Sequence, residues 1–177
     1  HLVVLFGDGA AAVVVQAQTG GDRGILDHVI CADGADFDRL YVPGVGSAHR
    51  PYVDKEMIGR GEHYPVMDGR YIFKLATVRM AEVAQAILKR NGFTPADLSL
   101  VLMHQANRRI NEYVQKLLGL PDSKVIHNIQ KYGNTTAATI PLLWDEGVRT
   151  GRIMPGGLVL CVAFGAGMTW GATLIRA

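Results

Sequence analysis

From Asp68 to Ala177 the chain switches repeatedly between two hydrophobic periods, and this restricts its possible folds more than any other feature. Ile72, Ala76, Met80, Val83 and Ile87 fall on one face at helical spacing, with Asp68 placed to cap the start and Gly92 to end it. Thr94-Pro95-Ala96-Asp97 has the make-up of a capped helical turn, with proline at its first position. Leu98–Met103 is a solid apolar run, as a buried strand requires. It passes through His104-Gln105-Ala106-Asn107 into a second helix that runs to Leu118 and stops at Gly119. A short strand is expected at Val125–Ile129, a turn at Tyr132-Gly133-Asn134, and a helix over Thr135–Arg149 that Pro141 should kink or shorten. Residues 158–164 form another buried run, which Gly165-Ala166-Gly167 turns into a last strand, Thr169–Ile175. A β-α-β order of this kind predicts an α/β sheet with helices packed on it.

The N-terminal third reads differently. Residues 2–6 and 12–17 are valine-rich and flank Gly7-Asp8-Gly9, which suggests strand, turn, strand. Residues 24–34 suggest a further extended piece, and 35–66, with Pro43, Pro51 and Pro65, a long irregular connection. LFGDGAAAVVVQA at 5–17 is echoed by AFGAGMTWGATLIRA at 163–177. The echo suggests two similar halves: 1–34 holding the terminal strands of a first, 35–67 connecting, and 68–177 forming the second. Because His1 already stands inside an apolar run, more chain is expected upstream.

Composition narrows the function. Charged residues make up 19% and the net charge is only +2, which argues against a generally basic nucleic-acid binder. No apolar run reaches the ~18 residues of a membrane helix. Two cysteines, Cys31 and Cys161, make neither a disulfide framework nor a four-ligand zinc site, and a cytoplasmic setting is expected. The six histidines show no H-x-x-x-H spacing, so no metal is expected.

His104 follows a strand and precedes a helix, where ligands meet α/β sheets, and an imidazole there can donate a hydrogen bond or move a proton. The commoner occupant of such a position is a satisfied structural histidine. Asn134 stands between a turn and the small residues Thr135-Thr136-Ala137-Ala138. It is either a turn and cap residue or a neutral donor to a developing oxyanion. The Phe164-Gly165-Ala166-Gly167 loop can present backbone N–H groups to an oxyanion, or is a plain hairpin. Gly7-Asp8-Gly9-Ala10-Ala11-Ala12 fits a loose dinucleotide pattern, but Val13–Val15 favour a strand where that motif needs a helix. Arg108, Arg109 and Lys116 form either a solvated face or a docking patch for an acidic partner or a phosphate. Cys31 and Cys161 sit in apolar runs, which suit inert buried thiols.

His104-Gln105-Ala106-Asn107, Tyr132-Gly133-Asn134-Thr135-Thr136-Ala137-Ala138 and Phe164-Gly165-Ala166-Gly167-Met168-Thr169-Trp170-Gly171, in that order, resemble the β-ketoacyl-acyl carrier protein synthase III family. Leu5-Phe6-Gly7-Asp8-Gly9-Ala10 resembles the end of that family's first half. The resemblance implies a thiolase fold of αβαβα layers in a homodimer. It also implies decarboxylative condensation of an acyl-coenzyme A primer with malonyl-acyl carrier protein, which starts fatty acid synthesis. A related ketosynthase or acyltransferase of secondary metabolism is the alternative. It implies no cofactor beyond the coenzyme A thioester substrate. His104 and Asn134 correspond to donors that stabilise the malonyl enolate, Asn107 to a residue that positions the histidine or binds a water, and the Ala166 N–H, beside Gly165, to the acyl oxyanion donor. Gln105, Ala106, Asn107, Arg108, Arg109, Lys116 and Lys74 correspond to the carrier-protein surface. Gly69, Arg70, Phe73, Ala106 and Ile110 correspond to the pantetheine channel. The family's nucleophilic cysteine has no counterpart here, so an N-terminal half is an expected partner.

Overall fold

The computed structural model describes residues 2–17 and 19–177. His1, from which further upstream chain was expected, lies outside the described residues. In chain order the strands and α-helices are β1 Gly24–Ala32, β2 Leu40–Tyr41, α1 Lys55–Gly59, β3 Val66–Met67, α2 Gly69–Arg90, β4 Leu100–Met103, α3 Arg108–Leu117, α4 Ile129–Tyr132, α5 Thr139–Arg149, β5 Leu158–Gly165 and β6 Thr169–Arg176.

Four strands form one sheet in the order β1-β6-β5-β4, with β4 parallel to β5 and the other pairs antiparallel. Side chains alternate across it. Val101, Met103, Leu160 and Val162 face the helices α2 and α3, where Ala84, Ile87, Leu88 and Val114 complete one core. Leu100, Leu102, Val159 and Cys161 face the other way and pack with Leu143 of α5 and Ile153. Helices on both faces explain why β4 and β5 are apolar without alternation. Leu160 is fully buried, so Leu160→Ala is expected to lower the stability of the full-length protein by about 2–5 kcal/mol in a urea titration.

The α2 stripe is as expected: Ile72, Ala76, Met80, Val83 and Ile87 are all buried. Asp68 accepts from the Tyr71 N–H at 3.1 Å, and Gly92 takes the positive φ of a helix stop. Thr94 and Asp97 form a reciprocal capping box. Pro141 does not kink α5, because it falls in the first turn, where its missing N–H has no partner to lose.

Four expectations are corrected. Leu2–Leu5 is a 3-10 turn rather than a strand. Residues 12–17 are not a strand either: Val14 is 91% exposed, and among the described residues no neighbouring backbone pairs with this stretch. Among the described residues the echo of the C-terminal hairpin has no hairpin to match it. β1, assigned above to a first half, pairs along its length with β6, so the stretch 24–32 shares the sheet of 68–177. Asp27 strengthens that pairing by binding Arg90 at 2.6 and 2.7 Å and Asn91 at 2.6 Å, at the end of α2. Val125–Ile129 is reduced to a single bridge between Val125 and Val101, since the Arg152 guanidinium occupies the Ser123 and Val125 carbonyls and α4 begins at Ile129. The connection 35–67 is mostly irregular but contains α1, β2 and β3. Among the described residues no helix is long and apolar enough to cross a membrane.

Candidate active site

A cavity of about 860 Å³ opens where β4 and β5 end. Its walls are mainly apolar, with Ile72, Phe73 and Met80 from α2, Ile110 from α3 and Phe164 from β5. His104 and Asn134 both line it.

His104 continues β4, its N–H donating to the Val162 carbonyl at 2.9 Å. Its Nδ1 lies 3.2 Å from the Thr139 hydroxyl, and among the described residues Nε2 has no partner. Burial holds its pKa below the ordinary histidine value, so the ring is neutral near pH 7. Asn134 is held from both sides: its N–H donates to the Leu5 carbonyl at 2.8 Å, and its carbonyl accepts from the Gly7 N–H at 3.1 Å. Gly133 precedes it at φ +68°, a conformation that favours glycine. The Asn134 Oδ1 accepts from the Thr136 N–H at 2.9 Å, and among the described residues the Nδ2 group is left as a donor without a partner.

Other expected residues divide. Gly165 and Ala166 lie at the cavity, as do Gly69, Phe73, Ala106 and Ile110. Arg70 is exposed on α2 and does not line this cavity. Asn107 lines the cavity but does not bind His104: its Oδ1 accepts from the Arg109 N–H at 2.9 Å and caps α3. Gln105 is 0% exposed and cannot form part of a docking surface. Its Nε2 donates to the Met103 carbonyl at 2.9 Å, and its Oε1 accepts from Asn128 N at 3.2 Å and Ile129 N at 3.4 Å. Its work is to tie the strand end to the start of α4. Lys74, Arg109 and Lys116 are exposed, and Arg108 stands at the cavity edge, paired with Glu112 at 2.8 Å.

Burial pushes the Cys161 thiol up to about 12, which makes it inert as a nucleophile near neutral pH. Neither Cys161 nor Cys31 lines the cavity. Among the described residues no group of three or more His, Cys, Asp or Glu side chains gathers as a metal site would need. The role of Thr139 and the grip of Leu5–Gly7 on Asn134 are not legible in the sequence. The one available signal was three threonines, 135, 136 and 139, close behind the asparagine.

An α/β sheet with helices on both faces and a cavity at its strand ends, holding an imidazole and a carboxamide, defines a thiolase-like protein. The solved 3-oxoacyl-(acyl carrier protein) synthase III of Pseudomonas aeruginosa shares the fold: TM-score 0.85, 38% identity, 98% of this chain and 51% of that one. So does the priming β-ketosynthase of a polyketide biosynthetic pathway: TM-score 0.78, 29% identity, 99% of this chain and 51% of that one. The family description "3-Oxoacyl-[acyl-carrier-protein (ACP)] synthase III C terminal" matches residues 88–177, and the chain belongs to that family. The β-ketoacyl-[acyl-carrier-protein] synthase III of Koribacter versatilis is 42% identical over 98% of the chain. The chain spans about half the length of the relatives it matches, 52% of the Koribacter protein.

Proposed function

We propose that this chain supplies the enolate-stabilising side of an enzyme that condenses an acyl-coenzyme A primer with malonyl-acyl carrier protein and so initiates fatty acid synthesis. The placement of His104 and Asn134 on one cavity, with the Asn134 amide turned to offer Nδ2, is the observation that supports the reading best. In the reaction, a cysteine thiolate from the N-terminal half takes the acyl group and releases coenzyme A. The malonyl thioester then loses carbon dioxide, and the electron pair of the broken bond passes onto the thioester oxygen as an enolate. Asn134 Nδ2 and His104 Nε2 meet that oxygen, where hydrogen bonds to the developing charge count most. The enolate carbon attacks the acyl carbonyl, whose oxyanion the Ala166 N–H receives, and the cysteine thiolate leaves. No resident cofactor is needed.

Lys74, Arg109 and Lys116, with Arg108 at the mouth, suit an acidic carrier protein. Gly69, Phe73, Ala106 and Ile110 suit the pantetheine arm. A cytoplasmic homodimer completes the reading. The likeness to a polyketide priming ketosynthase keeps a condensing role in secondary metabolism as the second reading. Supplying the full-length protein with malonyl-acyl carrier protein and an acyl-coenzyme A tests both. Carbon dioxide release with β-ketoacyl product is expected. Acylation of Cys31 or Cys161, or product formation without decarboxylation, would overturn the assignment, and primer preference would separate the two pathways.

A further inference from the structure

Thr139, at the first position of α5, is 1% exposed, and its Oγ1 meets three groups. The Thr136 carbonyl lies at 2.8 Å, His104 Nδ1 at 3.2 Å and the Thr135 hydroxyl at 3.4 Å. A threonine hydroxyl has one proton and two lone pairs. The Thr136 carbonyl carries no proton, so a 2.8 Å contact between two oxygens is attractive only with the Thr139 proton between them. Both Oγ1 lone pairs are then left for groups able to donate: the Thr135 hydroxyl and a protonated His104 Nδ1.

We propose that Thr139 is a positioning residue that keeps the proton of the neutral His104 ring on Nδ1, so that Nε2 is a hydrogen-bond acceptor until the ring gains a second proton. The inference builds on the proposed function only for its kinetic consequence. Asn134 is a permanent donor, because Oδ1 is taken by the Thr136 N–H. His104 at rest is not. A second donor toward the thioester oxygen appears only in the imidazolium, whose charge-assisted bond suits an enolate.

Among the described residues the surroundings favour that proton little. α5 offers Thr139, while the neighbouring parts of β4, β5 and α2 are apolar. Among the described residues, Arg108 is the one charged group of α3 that reaches the cavity, and it is already paired with Glu112. The malonyl carboxylate brings the negative charge that draws a proton to Nε2. Proton uptake is thereby tied to substrate binding.

NMR of the full-length protein with isotope-labelled histidine reads the tautomer directly, His104 being assigned by its absence in His104→Ala. Nδ1–H is expected in the wild type and in Thr139→Ser, and Nε2–H in Thr139→Val, which keeps the shape and removes the hydroxyl. Nε2–H in the wild type overturns the proposal even if the valine variant does not fold. An unchanged tautomer in Thr139→Val overturns it as well. Kinetics give a second readout. Wild-type decarboxylation should fall on the alkaline side as the imidazolium is lost. Thr139→Val should flatten that fall, because its neutral ring still donates from Nε2, and Thr139→Ser should restore it. An equal loss at every pH would mark Thr139 as merely structural and overturn the proposal. If the wild type decarboxylates nothing, the proposed function fails while the NMR result still decides the role of Thr139.

Discussion

In the full-length protein, His104→Ala and Asn134→Ala are each expected to slow malonyl-thioester decarboxylation by about 10²–10³-fold, the usual cost of removing one hydrogen-bond donor from a developing oxyanion. The apolar wall of Ile72, Phe73, Met80 and Phe164 makes the loss large, because water cannot readily replace the missing donor. Asn134→Asp should be at least as slow as the alanine variant, since it puts negative charge beside the forming enolate. The two losses should not add in His104→Ala/Asn134→Ala, because both groups act on one oxygen. Transfer of the primer acyl group to the cysteine involves no enolate, so acyl-enzyme formation should persist in all these variants. Carbon dioxide release and acyl-enzyme mass are the two measurements. Equal decarboxylation by wild type and both single variants would remove the condensing mechanism.

Much of this site was legible because its parts obey local rules. The α2 stripe follows from helical spacing, the solid apolar runs of β4 and β5 from burial on two faces, and the place of His104 from the strand that ends before it. What was misread depends on partners far along the chain. β1 pairs with β6 at registers such as Ala32 with Thr169, and nothing in its own residues states which half it joins. Val13–Val15 have the composition of a strand, but a strand exists only where another backbone supplies hydrogen bonds. Gln105 reads as a surface residue beside two arginines, yet its amide turns inward to satisfy backbone groups 23 and 24 positions away. Thr139 looks like an ordinary residue of a helix start, and only the fold puts its hydroxyl against an imidazole.

Gly7→Ala is expected to cost nearly as much activity as the loss of Asn134 itself, although Gly7 touches no substrate. The Leu5–Gly7 segment runs parallel to the Asn134 backbone, with Phe6 bridged to it, and holds it by one hydrogen bond on either side. A Cβ on Gly7 would come within 1.8 Å of the Tyr132 carbonyl oxygen, an overlap that no side-chain adjustment relieves because both atoms are fixed by backbone. The segment must withdraw, both hydrogen bonds open, and Gly133-Asn134 loses its support. Displacement of that order misplaces the Nδ2 donor, and misplacement of about 1 Å is enough to cost 10²-fold. The stability penalty should be about 1–3 kcal/mol, the range for overpacking, which leaves the protein folded for assay. A double-mutant cycle identifies the route. If Gly7 acts through Asn134, adding Asn134→Ala to Gly7→Ala should slow decarboxylation little further, whereas His104→Ala should still show its own loss. Fully multiplicative losses for the Gly7 and Asn134 changes would mean that the segment works by general stability, and that the glycine at the start of the chain has no part in aiming the amide.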